Sequence, residues 1–131
     1  MAKGIVVLDT DQKQNQNLCL HLEKNCYKAT PIYSLENLLE RLNEIDYLAV
    51  IIDIDTIAID NRTVRELTIK YPGVYFFCLS KDRFHPELKD AICYHIYACL
   101  NKPVDLDELF YWLRSIYEDE NEADQYTESE S

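Results

Sequence analysis

Three stretches of this chain, Ile5-Val6-Val7-Leu8, Leu48-Ala49-Val50-Ile51-Ile52 and Val74-Tyr75-Phe76-Phe77-Cys78-Leu79, run without a charged or amide residue and are rich in β-branched and aromatic side chains. A strand with one wet face alternates apolar and polar residues. Unbroken runs of this kind suit strands covered on both sides, as in a parallel sheet with a helical layer on each face. Two weaker strand segments join them: 27–33, which Pro31 assigns to a sheet edge, and 97–100. Helical spacing fills the intervals. Leu18, Leu20, Leu22 and Cys26 follow the polar start 11–17, and Leu35, Leu38, Leu39 and Leu42 follow Ser34, a good N-cap. Val64, Leu67 and Tyr71 precede the Pro72-Gly73 stop, and Pro86 fits the first turn of a helix through Ala91 and Ile92. Asp105, with Glu108 three residues on, opens a last helix carrying Leu106, Leu109, Phe110, Leu113, Ile116 and Tyr117. Five β-α alternations predict a parallel α/β sandwich with right-handed crossovers.

The length of 131 residues allows one core, and 47% hydrophobic against 28% charged residues excludes general disorder. No apolar run approaches the roughly 20 residues that cross a bilayer, and the N-terminus lacks a signal-peptide pattern, so the chain reads as soluble, cytoplasmic and without membrane contact. The net charge is −11, but seven acids and no base fall in 118–131, and the remaining 17 acids and 13 bases leave −4. No basic face is indicated, which argues against nucleic-acid binding. Residues 1–117 read as the domain and 118–131 as an acidic disordered tail or linker. Five cysteines without a C-x-x-C spacing read as reduced, small hydrophobes. His21, His85 and His95 have no mutual spacing of a site. With only Gly4 and Gly73, there is no glycine-rich phosphate loop, and no nucleophile, base and orienting group stand in recognisable spacing, so a conventional metabolic enzyme is not expected.

The polar residues that follow the strands carry more information. Asp9 follows 5–8, Asp53 follows 48–52, Ser80 follows 74–79, and Lys102 lies one residue past Leu100. Carboxyl ends of a parallel sheet share one edge, where ligands bind. In a five-stranded order 2-1-3-4-5, strands 1 and 3 are neighbours roughly 4.8 Å apart, and Asp9 and Asp53 share a pocket. Crowded carboxylates call for a cation, and an all-oxygen set with few protein ligands suits Mg²⁺. A carboxylate also attacks phosphorus as a nucleophile, with Lys102 neutralising the developing charge and Ser80 donating to a phosphoryl oxygen. The plainer reading is that acids and hydroxyls begin loops and cap helices. Four such residues at four strand ends argue against coincidence.

Over nearly all of 3–117 these residues resemble the two-component response regulator receiver domain. The stretches that carry the resemblance are Ile5-Val6-Val7-Leu8-Asp9-Thr10-Asp11, Ala49-Val50-Ile51-Ile52-Asp53-Ile54-Asp55, Phe77-Cys78-Leu79-Ser80-Lys81 and Leu100-Asn101-Lys102-Pro103-Val104-Asp105-Leu106-Asp107-Glu108-Leu109. The resemblance implies a flavodoxin-like (βα)5 three-layer sandwich with strand order 2-1-3-4-5. It implies phosphorelay signalling: Asp53 as phosphoacceptor from a histidine kinase or phosphotransfer protein, and Lys102 and Ser80 on the phosphoryl group. Mg²⁺ would be held by Asp9, Asp53 and the backbone carbonyl of Asp55, with Asp11 or Thr10 completing the set. Asp60 falls where the family often has Asp. No enzymatic turnover is implied beyond self-phosphorylation from a phosphodonor and slow autodephosphorylation.

Four positions depart from the family pattern. Thr10 stands for the second acid, which weakens or abolishes Mg²⁺ binding unless compensated; Ile57 stands for a Pro, Cys99 for the aromatic switch residue, and His95 for a Gly. A substituted switch residue predicts a muted conformational change. The face of the fourth helix, fifth strand and last helix, with Tyr94, Tyr97, Tyr111 and Trp112, is the expected partner or homodimer surface. The alternative is a degenerate receiver acting as a phosphorylation-independent binding or dimerisation module. A flavodoxin-like ligand-binding or oligomerisation domain outside phosphorelay is a further alternative, which the Lys102-Pro103 pair disfavours.

Overall fold

The computed structural model describes residues 3–81 and 96–130, with the backbone alone from 120 on. Its elements are β1 (Gly4–Leu8), α1 (Gln12–Lys24), β2 (Ala29–Ile32), α2 (Leu35–Glu44), β3 (Tyr47–Asp53), α3 (Asn61–Lys70), β4 (Tyr75–Ser80), β5 (Ala98–Asn101) and α4 (Leu106–Glu130). The helix expected from Pro86, and with it His85, Cys93, Tyr94 and His95, lies outside the described residues. Among the described residues no helix is long and apolar enough to cross a membrane.

The strands form one all-parallel sheet in the order β2-β1-β3-β4-β5, the expected flavodoxin-like arrangement. Alternation along each strand explains why the apolar runs are unbroken. Val6, Leu8, Val50, Ile52, Phe76 and Cys78 face α2 and α3, where Leu38, Leu42, Val64 and Leu67 meet them. Ile5, Val7, Ala49, Ile51, Phe77 and Leu79 face α1 and α4, against Leu18, Leu22, Leu109, Leu113 and Ile116. Each strand therefore feeds two cores, and β3 is buried at every position.

Each described helix starts on a side-chain cap. Asp11 accepts from the N–H of Gln14 at 3.0 Å, Ser34 from Asn37 at 3.2 Å, and Asp60 from Thr63 at 2.8 Å. Asp105 accepts from the N–H of Asp107 at 3.0 Å and of Glu108 at 3.4 Å. The Thr63 N–H, followed by the Thr63 hydroxyl, holds the Asp60 carboxyl below its ordinary 3.8. A folded value below the unfolded one gives stability that is present above the unfolded value and lost as pH falls through the folded one. Asp60→Asn keeps a cap oxygen without the charge. Thermal melts of the two proteins between about pH 5 and pH 3 should show a shallower acid loss in the variant.

Two helix ends differ from expectation. α1 stops at Lys24, and Cys26, counted in the helical spacing, takes a left-handed φ of 69° that turns the chain into β2. The Tyr27 N–H to Leu22 O bond at 3.0 Å closes this turn. At the other end, α4 does not stop near Tyr117 but runs through the acidic segment to Glu130, which contains no Gly or Pro to end it.

Candidate functional site

The sheet brings Asp9, Asp53, Ser80 and Lys102 to one edge. Leu8 pairs with Ile52, so Asp9 and Asp53 leave adjacent strands side by side. Asp9 and Asp53 are 1% exposed and Ser80 is fully buried. Burial of two like charges demands donors, and the surrounding backbone and side chains supply them.

Lys102, carried past β5 and followed by a cis bond to Pro103, places Nζ 2.6 Å from Asp53 Oδ2 and 3.2 Å from Asp55 Oδ2. Burial would lower the Lys102 ammonium, but bonds to Asp53 and Asp55 and their charges outweigh it and hold it above its ordinary value. Asp55, expected to offer only its carbonyl, also turns its carboxylate into the site. It accepts from Ser80 Oγ at 3.3 Å and from the Lys81 N–H at 2.9 Å. Burial alone would raise the Asp55 carboxyl, yet these donors and Lys102 hold it below the ordinary carboxylate value.

The remaining oxygens are also occupied. Asp53 Oδ1 accepts from the N–H groups of Asp55 at 2.9 Å and Thr56 at 3.2 Å. Asp9 Oδ1 accepts from the Asp11 N–H at 2.8 Å and the Thr56 hydroxyl at 3.0 Å. Gln14, from the first turn of α1, donates through Nε2 to Asp9 Oδ2 and, at 2.6 Å, to Asp53 Oδ2. Beneath it, fully buried Asn15 donates through Nδ2 to the carbonyls of Val7, Asp9 and Ile32 at 3.0, 3.1 and 2.9 Å, tying α1 to the ends of β1 and β2.

Gln14, Asn15 and Thr56 were not singled out by the sequence. Only Asn15 left a signal: it stands with Leu18, Cys19 and Leu22 at helical spacing, the four buried residues of α1. The positions proposed to compensate the metal set do not converge on it. Thr10 is exposed and gives its N–H to Thr56 Oγ1 at 3.1 Å, while the Asp11 carboxylate caps α1. Among the described residues no three His, Cys, Asp or Glu side chains are arranged to hold a metal ion. With Gln14 across Asp9 and Asp53, the arrangement does not fit Mg²⁺.

Away from the acids, Tyr97, Trp112 and Tyr111 do come together. Tyr97 meets Trp112 edge-on at 5.6 Å, and Trp112 meets Tyr111 at 5.3 Å. Tyr111 is 61% exposed. Tyr94 lies outside the described residues. Cys99 packs against the core on the α2 and α3 side.

No protein-family model matches the sequence, and no curated protein matches it. Solved structures do match by shape. The signal receiver domain of an HD domain-containing protein from Pseudomonas fluorescens Pf-5 superposes with a TM-score of 0.80 at 22% identity, over 95% of this chain and 94% of that one. This chain has the fold of a receiver domain. The receiver domain of Francisella response regulator 1452 gives a TM-score of 0.75 at 20% identity, over 89% and 98% of the two chains. Chemotaxis response regulator CheY4 of Vibrio cholerae gives 0.74 at 13%, over 88% and 99%. In this chain the carboxyl edge of the sheet holds the carboxylates of Asp53 and Asp55 against the ammonium of Lys102, with Asp9 beside Asp53.

Proposed function

We propose that this receiver accepts a phosphoryl group on Asp53 from the phosphohistidine of a histidine kinase or phosphotransfer protein, in two-component signalling, and thereby alters its affinity for a partner. The observation that carries this reading is the Lys102 ammonium 2.6 Å from a buried, strand-end carboxylate. In the transfer, an Asp53 carboxylate oxygen forms a bond to phosphorus as the bond from phosphorus to the imidazole nitrogen breaks, and the ring nitrogen keeps the electron pair. Lys102 offsets the charge on the phosphoryl oxygens, and Ser80 donates to one of them. The product carries an added charge of about −1.5 to −2, which favours a rearrangement of the donors around it. The Tyr97, Trp112 and Tyr111 group is the proposed surface for a partner or a second copy. The protein works in the cytoplasm, with self-phosphorylation and slow hydrolysis as its only turnover.

The test is intact mass after incubation with acetyl phosphate and Mg²⁺, beside Asp53→Asn. A single phosphoryl adduct on the wild type, absent from the variant, is expected. No adduct on the wild type would replace this reading with a binding module independent of phosphorylation.

A further inference from the structure

We propose that Gln14 gates the acid pair: its amide closes Asp9 and Asp53 to a divalent cation and to a phosphoryl donor until the side chain turns out. The inference rests on Asp53 being the phosphoacceptor, and three observations lead to it. First, Gln14 Nε2 bridges the two carboxylates on the oxygens that the surrounding backbone leaves to side chains, Asp9 Oδ2 and Asp53 Oδ2. Their other oxygens are held from Asp11, Asp55 and Thr56. Second, the Asp53 side chain has no exposed surface, whereas a reacting phosphorus must come within about 3 to 3.5 Å of an open oxygen. Some group has to leave, and Gln14 is an exposed residue on the first turn of α1. Third, there is space to receive it. A cleft of about 590 Å³ is bordered by Gln14, Asp9, Lys102, Lys81, Leu18 and Leu106, so a rotation about the Gln14 side chain moves the amide off the acids and into the cleft.

The chemistry favours an exchange of occupants. An amide brings N–H dipoles to two carboxylates but no charge, so their mutual repulsion is only partly offset. With the amide withdrawn, Asp9 Oδ2 is released and Asp53 Oδ2 keeps only the Lys102 ammonium, so the pair presents hard oxygens of the kind Mg²⁺ takes together with its retained waters. Breaking hydrogen bonds to charged acceptors weakens cation binding by about 10- to 100-fold relative to a chain without them. Gln14 therefore sets the cation affinity of the receiver, in addition to the loss of an acid at Thr10.

The probe is Mg²⁺ alone, titrated calorimetrically into the full chain as wild type, Gln14→Ala and Gln14→Met, with Gln12→Ala as the control on the same helix turn. Both Gln14 variants should bind Mg²⁺ about tenfold or more tightly than wild type and Gln12→Ala, because Met keeps the length of the side chain without its N–H donors. Equal affinities in all four proteins overturn the gate. If a variant is too unstable for calorimetry, its melting temperature should climb with Mg²⁺ more than that of wild type, and an equal climb overturns the gate. Adduct formation from acetyl phosphate separates the two readings. Tighter Mg²⁺ binding with no adduct in any protein upholds the gate and removes Asp53 as acceptor; adducts at equal Mg²⁺ affinity keep the acceptor and overturn the gate.

Discussion

Replacing Asn15 by Asp is expected to cost the domain about 3 kcal/mol or more, although the two side chains have nearly the same shape. Asn15 is fully buried, and its amide donates to the carbonyls of Val7, Asp9 and Ile32 while its oxygen accepts from Cys19 Sγ at 3.6 Å. A carboxylate has no hydrogen to give. It would face three carbonyl oxygens as a buried anion, or bind a proton at further expense of stability. Asn15→Ala removes the donors without adding a charge, and should cost about 2 kcal/mol through unmet carbonyls and a small cavity. Urea unfolding gives both values, with an unchanged m expected if the folded and unfolded ensembles keep their extent. A loss below about 1 kcal/mol for Asn15→Asp would show that these bonds do not hold the strand ends together.

Lys102→Met is expected to cost about 3 kcal/mol at neutral pH, since it strands the buried Asp53 carboxylate and removes a partner of Asp55. Both partners of this contact give pH dependence. The Lys102 ammonium, raised above its ordinary 10.5, contributes stability that is complete below that value and lost as pH rises through the folded one. Asp55, lowered from its ordinary 3.8, contributes stability that is present above that value and lost as pH falls through the folded one. Urea titrations at several pH values should therefore find wild type and Lys102→Met furthest apart between these limits. The gap should narrow in acid, as pH falls through the folded Asp55 value and the Lys102 contribution to it is lost. A gap that does not change with pH would mean that Lys102 acts by packing its methylenes.

How much of this could be read in advance depended on the range of each interaction. The order of the sheet was legible because burial on both faces leaves unbroken apolar runs such as 48–52, and the edge residues Asp9, Asp53, Ser80 and Lys102 were legible because a strand end fixes where the next side chain goes. The bridges across that edge were not. Gln14 meets Asp53 across 39 positions and Thr56 meets Asp9 across 47, and neither residue stands out in its local segment. Asp55 appeared through its backbone, and nothing in the order Asp53-Ile54-Asp55 told that its carboxylate reaches Ser80 and Lys102. Cys26 fitted the helical spacing, and only the folded chain shows that the turn into β2 takes it out of α1.

Pro31 has a further consequence for how copies of this protein meet. The ladder to β1 uses the carbonyls of Lys28 and Ile32, so Pro31, of the opposite parity, directs its position without N–H away from the sheet. A strand from a second copy arriving along β2 would find a missing donor in the middle of a four-residue template. Extension of the sheet past β2 is thus discouraged, and with it the edge-to-edge stacking that leads parallel sheets into aggregates at high concentration.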